Sequence, residues 1–177
     1  MDALTTELRW IEAPLEICFS LESAEPDRFK LEFNRLAESD DDPLSQWLKI
    51  ARARGETKES DPVVLALLID LHRKIDELSL KITGQEKERL TLEHTVRLDG
   101  LNYTHFKLAA AAFETGERYY GRIKMPVFPI RDIGFFFKAH SDEVGEIAVM
   151  HERDQKAWDS YVASRERVMI RQQKGIG

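Results

Sequence analysis

Apolar positions recur with two different periods along the chain, and the change of period divides it. From Val63 to Ile82 the residues Val64, Leu68, Leu71, Ile75, Leu78 and Ile82 are separated by alternating steps of four and three. That spacing places them in one stripe on a helix, a heptad seam with Leu68, Ile75 and Ile82 at a and Val64, Leu71 and Leu78 at d. Ile at a with Leu at d suits two strands, but Leu65 at e and Leu67 at g widen the apolar surface beyond a two-stranded seam. Either other copies of the chain cover it, giving a tetramer, or the chain's own helices do. Asp61 and Pro62 supply a cap and first turn, and Thr83-Gly84 a stop. Two shorter helices are predicted before the seam. Pro26 opens one to about residue 38, carrying Phe29, Phe33 and Leu36 on one face. Asp42 and Pro43 open the other, in which Leu44, Trp47, Leu48 and Ala51 line up before Gly55 stops it. The acidic run Glu38 to Asp42 reads as a solvated turn, since it lacks the oxygen-ligand spacing of a calcium loop. Upstream, Leu15, Ile17, Phe19 and Leu21 fall at period two and predict a short strand or extended segment.

Beyond Glu88 the period falls to two. Leu90, Leu92, His94, Val96 and Leu98 alternate with polar residues and predict a strand that Asp99-Gly100 would turn. Leu101 and Tyr103 would begin the next. Glu114-Thr115-Gly116 marks a further turn, RYYGRIKMPVFP a strand closed by prolines, and GFFFKA and GEIAVM two short strands around the polar loop from His140 to Val144. Several short strands at close spacing point to a small barrel or sandwich. From Asp154 to Gln173 the helical period returns, with Trp158, Tyr161, Val162 and Met169 on the apolar side. The expected class is α+β, divided as a helical extension over 1–59, a heptad helix over 60–84 and a β-domain with a closing helix over 85–177.

Composition narrows the function classes. A formal charge of -6 and a pI near 5.5 argue against nucleic acid or an anionic membrane as a broad partner, because both recruit a surplus of Lys and Arg. No stretch reaches the roughly 18 uninterrupted apolar residues of a membrane span. The single cysteine, Cys18, stands between Ile17 and Phe19 and reads as a small buried hydrophobe, which suits a reducing, cytoplasmic setting.

Enzyme signatures are scarce. There is no GxxxxGK[ST] loop, no GxGxxG after a strand, no GxSxG elbow and no HExxH. His72, His94, His105, His140 and His151 show no ligand spacing, so neither a metal nor a cofactor is expected. His140-Ser141-Asp142 holds the residue types of a hydrolase triad, but three consecutive loop residues cannot form its linear relay. Two arginine pairs, Arg118 with Arg122 and Arg167 with Arg171, each lie on one side of their element and could grip phosphate. Neighbouring Glu117 and Glu166 favour a solvated charged face instead. No enzymatic activity is expected.

VRLDGLNY (96–103), the ETGE turn, RIKMPVFPI, GFFFKA and a helix opening HERDQKAWDSYVASRER together resemble a PilZ domain, over about Glu86 to Arg171. The resemblance implies a six-stranded antiparallel β-barrel with a C-terminal helix, in a family that binds the bacterial messenger cyclic di-GMP and passes the signal to a partner. The family's ligand motif is RxxxR before the barrel and D/NxSxxG on it. With Gly100 at the motif glycine, Thr95 takes the Asp/Asn position and Arg97 the Ser position, and Arg89 has no arginine four residues away. What the resemblance then implies is a divergent member that lacks these motifs. In one such type a heptad helix beside the barrel assembles the chains into a tetramer.

Two readings follow. One is a non-enzymatic regulatory adaptor in cyclic di-GMP signalling that acts by homo-oligomerisation through Val64, Leu65, Leu67, Leu68, Leu71, Ile75, Leu78 and Ile82 and by contacts with other proteins. The other is a cyclic di-GMP receptor with a relocated site drawn from Arg89, Arg97, Arg118 and Arg122.

Overall fold

The computed structural model describes residues 8–38, 43–82, 89–127 and 130–174. Six strands, β1 (Glu16–Leu21), β2 (His94–Leu101), β3 (His105–Leu108), β4 (Arg118–Met125), β5 (Arg131–Ala139) and β6 (Val144–Met150), close into an antiparallel barrel in the order β1-β2-β3-β6-β5-β4. The helices are α1 (Pro26–Glu38), α2 (Pro43–Ala53), α3 (Pro62–Ile82) and α4 (Glu152–Lys174). The fold is therefore α+β with a closed barrel. Among the described residues no helix is long and apolar enough to cross a membrane.

Strand alternation fills the interior. On β4, Tyr119, Ile123 and Met125 are buried in the main core, and Arg118 and Lys124 are exposed on the opposite side. Ile17, Phe19, Leu98, Phe106, Phe135 and Phe137 meet there from the other strands. Trp158 and Val162 of α4 complete this core, and the Trp158 indole N–H donates to the carbonyl of Asn102 at 2.9 Å. A second, smaller cluster lies on the outer face of the barrel, where Phe29 of α1 packs with Tyr120, Phe136 and Leu92. Fully buried Asp154, at the start of α4, pairs with Arg131 at 3.0 Å, and Arg153 donates to the Leu36 carbonyl at 3.0 Å. These bonds tie both helices to the sheet.

The period-two segment at 15–21 has become β1, the strand that closes the ring by pairing with β2 on one side and β4 on the other. The barrel thus takes a strand from ahead of the helices as well as five from beyond residue 90. Two compact units result, residues 1–37 with 90–177, and residues 38–89. This differs from a division at 59 and 84 because β1 and α1 find their apolar partners on the barrel.

Asp99-Gly100 is not a turn. It lies inside β2, where the register against β3 shifts between Leu98 and Gly100 as a bulge. The reversal comes later, at Asn102, whose side-chain oxygen accepts the backbone N–H groups of Thr104 and His105 at 2.9 and 2.7 Å. Tyr103 therefore sits in the turn, and β3 begins at His105.

In the second unit, α2 ends as expected at Gly55, with φ at 78° and a Glu56 N–H to Ala51 carbonyl bond of 3.0 Å. Asp61 caps α3, its carboxylate accepting the N–H of Val63 at 2.7 Å. The acidic run at 39–42 and the stop at Thr83-Gly84 lie outside the described residues.

Candidate functional site

The seam residues of α3 are all exposed. Val64, Leu68, Leu71, Ile75, Leu78 and Ile82 stand between 51% and 84% accessible, and Val63 and Leu67 extend the same surface. Leu65, Ala66 and Ile69, on another face, are half-buried. The two flanking positions therefore separate: Leu65 at e is partly covered within the chain, and Leu67 at g is open. On α3, Lys74 pairs with Asp70 at 3.0 Å and the His72 ring lies 3.0 Å from the Asp76 carboxylate, each one turn along the helix. The apolar stripe is left as the feature that distinguishes this helix. On α2, Trp47 and Ile50 are also exposed, and Leu48 and Ala51 are buried.

The arginine candidates come from different segments of the chain. Arg89 belongs to the unit of residues 38–89, and Arg97, Arg118 and Arg122 belong to the barrel unit. Even spacing does put Arg118 and Arg122 on one side of β4, the outer one, flanking Tyr120. Their partners come from segments distant in sequence. Arg118 Nε donates to Glu22 at 2.8 Å, and the Arg122 guanidinium pairs with Glu32 of α1 and donates to the Leu90 carbonyl at 3.2 Å. Arg122 and Glu32 are both largely shielded from solvent, so this pair ties α1 to the barrel. Arg97 is exposed on β2 and makes no ion pair among the described residues.

The remaining motif positions have local partners. The Thr95 hydroxyl lies 3.4 Å from the Cys18 sulfur across the β1–β2 pairing. A Cβ at Gly100 would stand 3.2 Å from that of Trp10, so the N-terminal segment already accounts for a small residue there. On α4, Arg167 and Arg171 are exposed, and Glu166 accepts a bond from the Tyr103 hydroxyl at 3.2 Å.

His140, Ser141 and Asp142 form no relay. The Ser141 hydroxyl oxygen accepts the Val144 N–H at 3.1 Å, and the His140 ring bonds Glu146 at 2.6 Å. Barrel closure does bring together three groups with no signature in the sequence, His105, His140 and Glu146. Burial holds the His105 imidazole below its ordinary value, with Glu146 pulling it up and His140 down. The hydrogen bond from His140 lowers the Glu146 carboxyl. Nothing in residue spacing could have found this cluster, because its members are 35 and 6 residues apart on three different segments.

Comparison of the chain with protein-family models, with curated proteins and with solved structures finds no match.

Proposed function

We propose that the protein is a non-enzymatic regulatory adaptor of bacterial cyclic di-GMP signalling, a divergent PilZ-type domain that acts in the cytoplasm through self-association and contacts with other proteins. The observation that carries this reading is the exposed heptad stripe on α3. An isolated helix presenting so many large apolar side chains to water is costly, each worth about 1.5–3 kcal/mol if buried. Association of copies removes that cost, and an open Leu67 beside the a and d positions asks for more than two helices, hence a tetramer. The closed six-stranded barrel with a following helix supports the family reading. The ion pairs of Arg118 and Arg122 support action without the nucleotide, since those guanidiniums are already engaged.

Light scattering on the full chain at micromolar concentration, with and without cyclic di-GMP, tests the proposal. A tetramer whose mass ignores the nucleotide is expected, and Leu71→Asp with Leu78→Asp dissociates it with the barrel still folded. A monomeric wild type overturns the association. Tight nucleotide binding by calorimetry overturns the adaptor reading in favour of a receptor, for which exposed Arg97 is the candidate contact. Arg97→Ala then abolishes binding if that site is the right one.

A further inference from the structure

We infer that His105, His140 and Glu146 form a binding site for a divalent transition-metal ion of the Zn2+ class on the outer face of the barrel. One donor atom from each residue lies within 4.8 Å of the other two. Backbone register sets this arrangement. His105 of β3 is directly opposite Glu146 of β6, and His140 follows the end of β5, whose Lys138 pairs with the same glutamate. Their neighbours Phe106, Gly145 and Ala139 are buried on the core side, so the three ligands share the outward side. Only side-chain rotation is needed to bring them onto one ion.

Hydrogen bonding prepares His105 to ligate. The Asn102 side-chain oxygen is identified as the acceptor by the two backbone N–H groups it receives, and the Thr104 hydroxyl lies 3.3 Å from it. Thr104 Oγ1 lies 2.8 Å from His105 Nδ1, a hydrogen bond that holds the ring on that side. With the ring proton on Nδ1, donated to Thr104 Oγ1, His105 Nε2 carries the unshared pair a metal requires, and the Thr104 bond orients the ring as partners of metal-bound imidazoles do.

The His140–Glu146 bond is the ion-free form of the other two ligands. At 2.6 Å, Nε2–H of His140 donates to the carboxylate. Donors of a tetrahedral ion with bonds of about 2.0–2.1 Å stand roughly 3.3 Å apart, so this pair opens slightly as the ion takes the place of the proton. The displaced proton leaves to solvent or returns on Nδ1, and the imidazole that ligates is neutral. Two imidazoles and one carboxylate suit Zn2+ and its neighbours, and not Ca2+ or Mg2+, which take oxygen donors. The half-exposed site leaves a fourth position to water.

The test uses the full chain, stripped of metal by chelator and titrated with Zn2+ by calorimetry and with Co2+ by visible absorption. One ion per chain is expected, with affinity falling about tenfold or more in each of His105→Ala, His140→Ala and Glu146→Gln. His72→Ala, which removes the His–Asp pair on α3, leaves uptake unchanged. All three ligand positions are partly solvent-accessible, and far-UV circular dichroism verifies that the variants fold. No uptake at micromolar Zn2+, or uptake undiminished in the His105→Ala/His140→Ala double variant, overturns the site.

Discussion

Phe29 lies nearly flat on Tyr120, with ring centroids 5.1 Å apart and 18° between the planes. Both side chains are buried, and through them α1 docks on the outer face of the barrel. Phe33 adds a second anchor one turn on, edge-on to Phe136 at 5.3 Å and stacked on His151 at 3.9 Å. Truncating Phe29 to Ala removes most of one aromatic side chain from a closed contact and is expected to cost about 3–5 kcal/mol, read as a lower urea midpoint. Phe29→Leu keeps most of the volume and loses much less.

Arg122 and Glu32 link the same two elements by charge. Arg122→Ala leaves the Glu32 carboxylate, only 8% exposed, without its cation, at an expected cost of about 3 kcal/mol in denaturant unfolding. Replacing both partners together, with Met for Arg122 and Gln for Glu32, restores much of the loss, since no unpaired charge stays behind. A loss of nucleotide binding in Arg122→Ala would accordingly report on α1 docking as well as on contact with the ligand.

The elements that could be read from the sequence are those specified by nearby residues. The helix over Pro62–Ile82, its Asp61 cap, the Gly55 stop and the strand over Arg118–Met125 all depend on residues a few positions apart, and each is present in the structure. Asp99-Gly100 misled because the same dipeptide serves a hairpin turn and a bulge, and the choice was made by Asn102 three residues after Asp99. The role of β1 was illegible for another reason: Ile17 pairs with Val96 and with Ile123, partners that no local pattern announces. The His105, His140 and Glu146 cluster is a product of that same closure, as are the carboxylates that engage Arg118 and Arg122.

Asp61 tests whether the cap on α3 matters to the apolar stripe. Asp61→Ala removes the acceptor for the Val63 N–H and is expected to cost the helix about 1 kcal/mol. Hydrogen exchange at Val63 and Val64 should accelerate, and exchange in β4 should not change. Equal acceleration in both places would mean that the two units unfold together.

Of the described glycines, Gly145 is the one where an added Cβ would meet a neighbouring atom most closely. A Cβ there would stand 2.6 Å from Phe106 Cζ and 2.9 Å from Phe137 Cδ2, both ring carbons of fully buried residues. Neither ring has space to retreat, because each packs against Phe113 and Phe135. Gly145→Ala is expected to destabilise by about 1–3 kcal/mol, seen as a lower thermal midpoint, with near-UV circular dichroism altered by displaced aromatic rings.

Two of the four tyrosines, Tyr119 and Tyr161, have phenols partly withdrawn from water in the fold. Burial raises the phenol of Tyr119 above its ordinary value of 10.0, opposed in part by the Glu114 N–H that its oxygen accepts at 2.8 Å, and burial likewise raises Tyr161, which Arg165 partly offsets. A group whose pKa is higher folded than unfolded binds its proton more firmly in the native state, so the unfolded chain loses protons first and stability falls as pH rises. The contribution is complete below pH 10 or so and is lost as pH climbs through the folded values. Tyrosinate absorbance followed upward in pH should show Tyr119 and Tyr161 ionising late, in step with loss of the near-UV dichroic signal. Tyr161→Phe removes one titrating group without orphaning a donor and should shift the unfolding midpoint to higher pH; Tyr119→Phe also strips the Glu114 N–H of its acceptor and should lower stability at neutral pH as well.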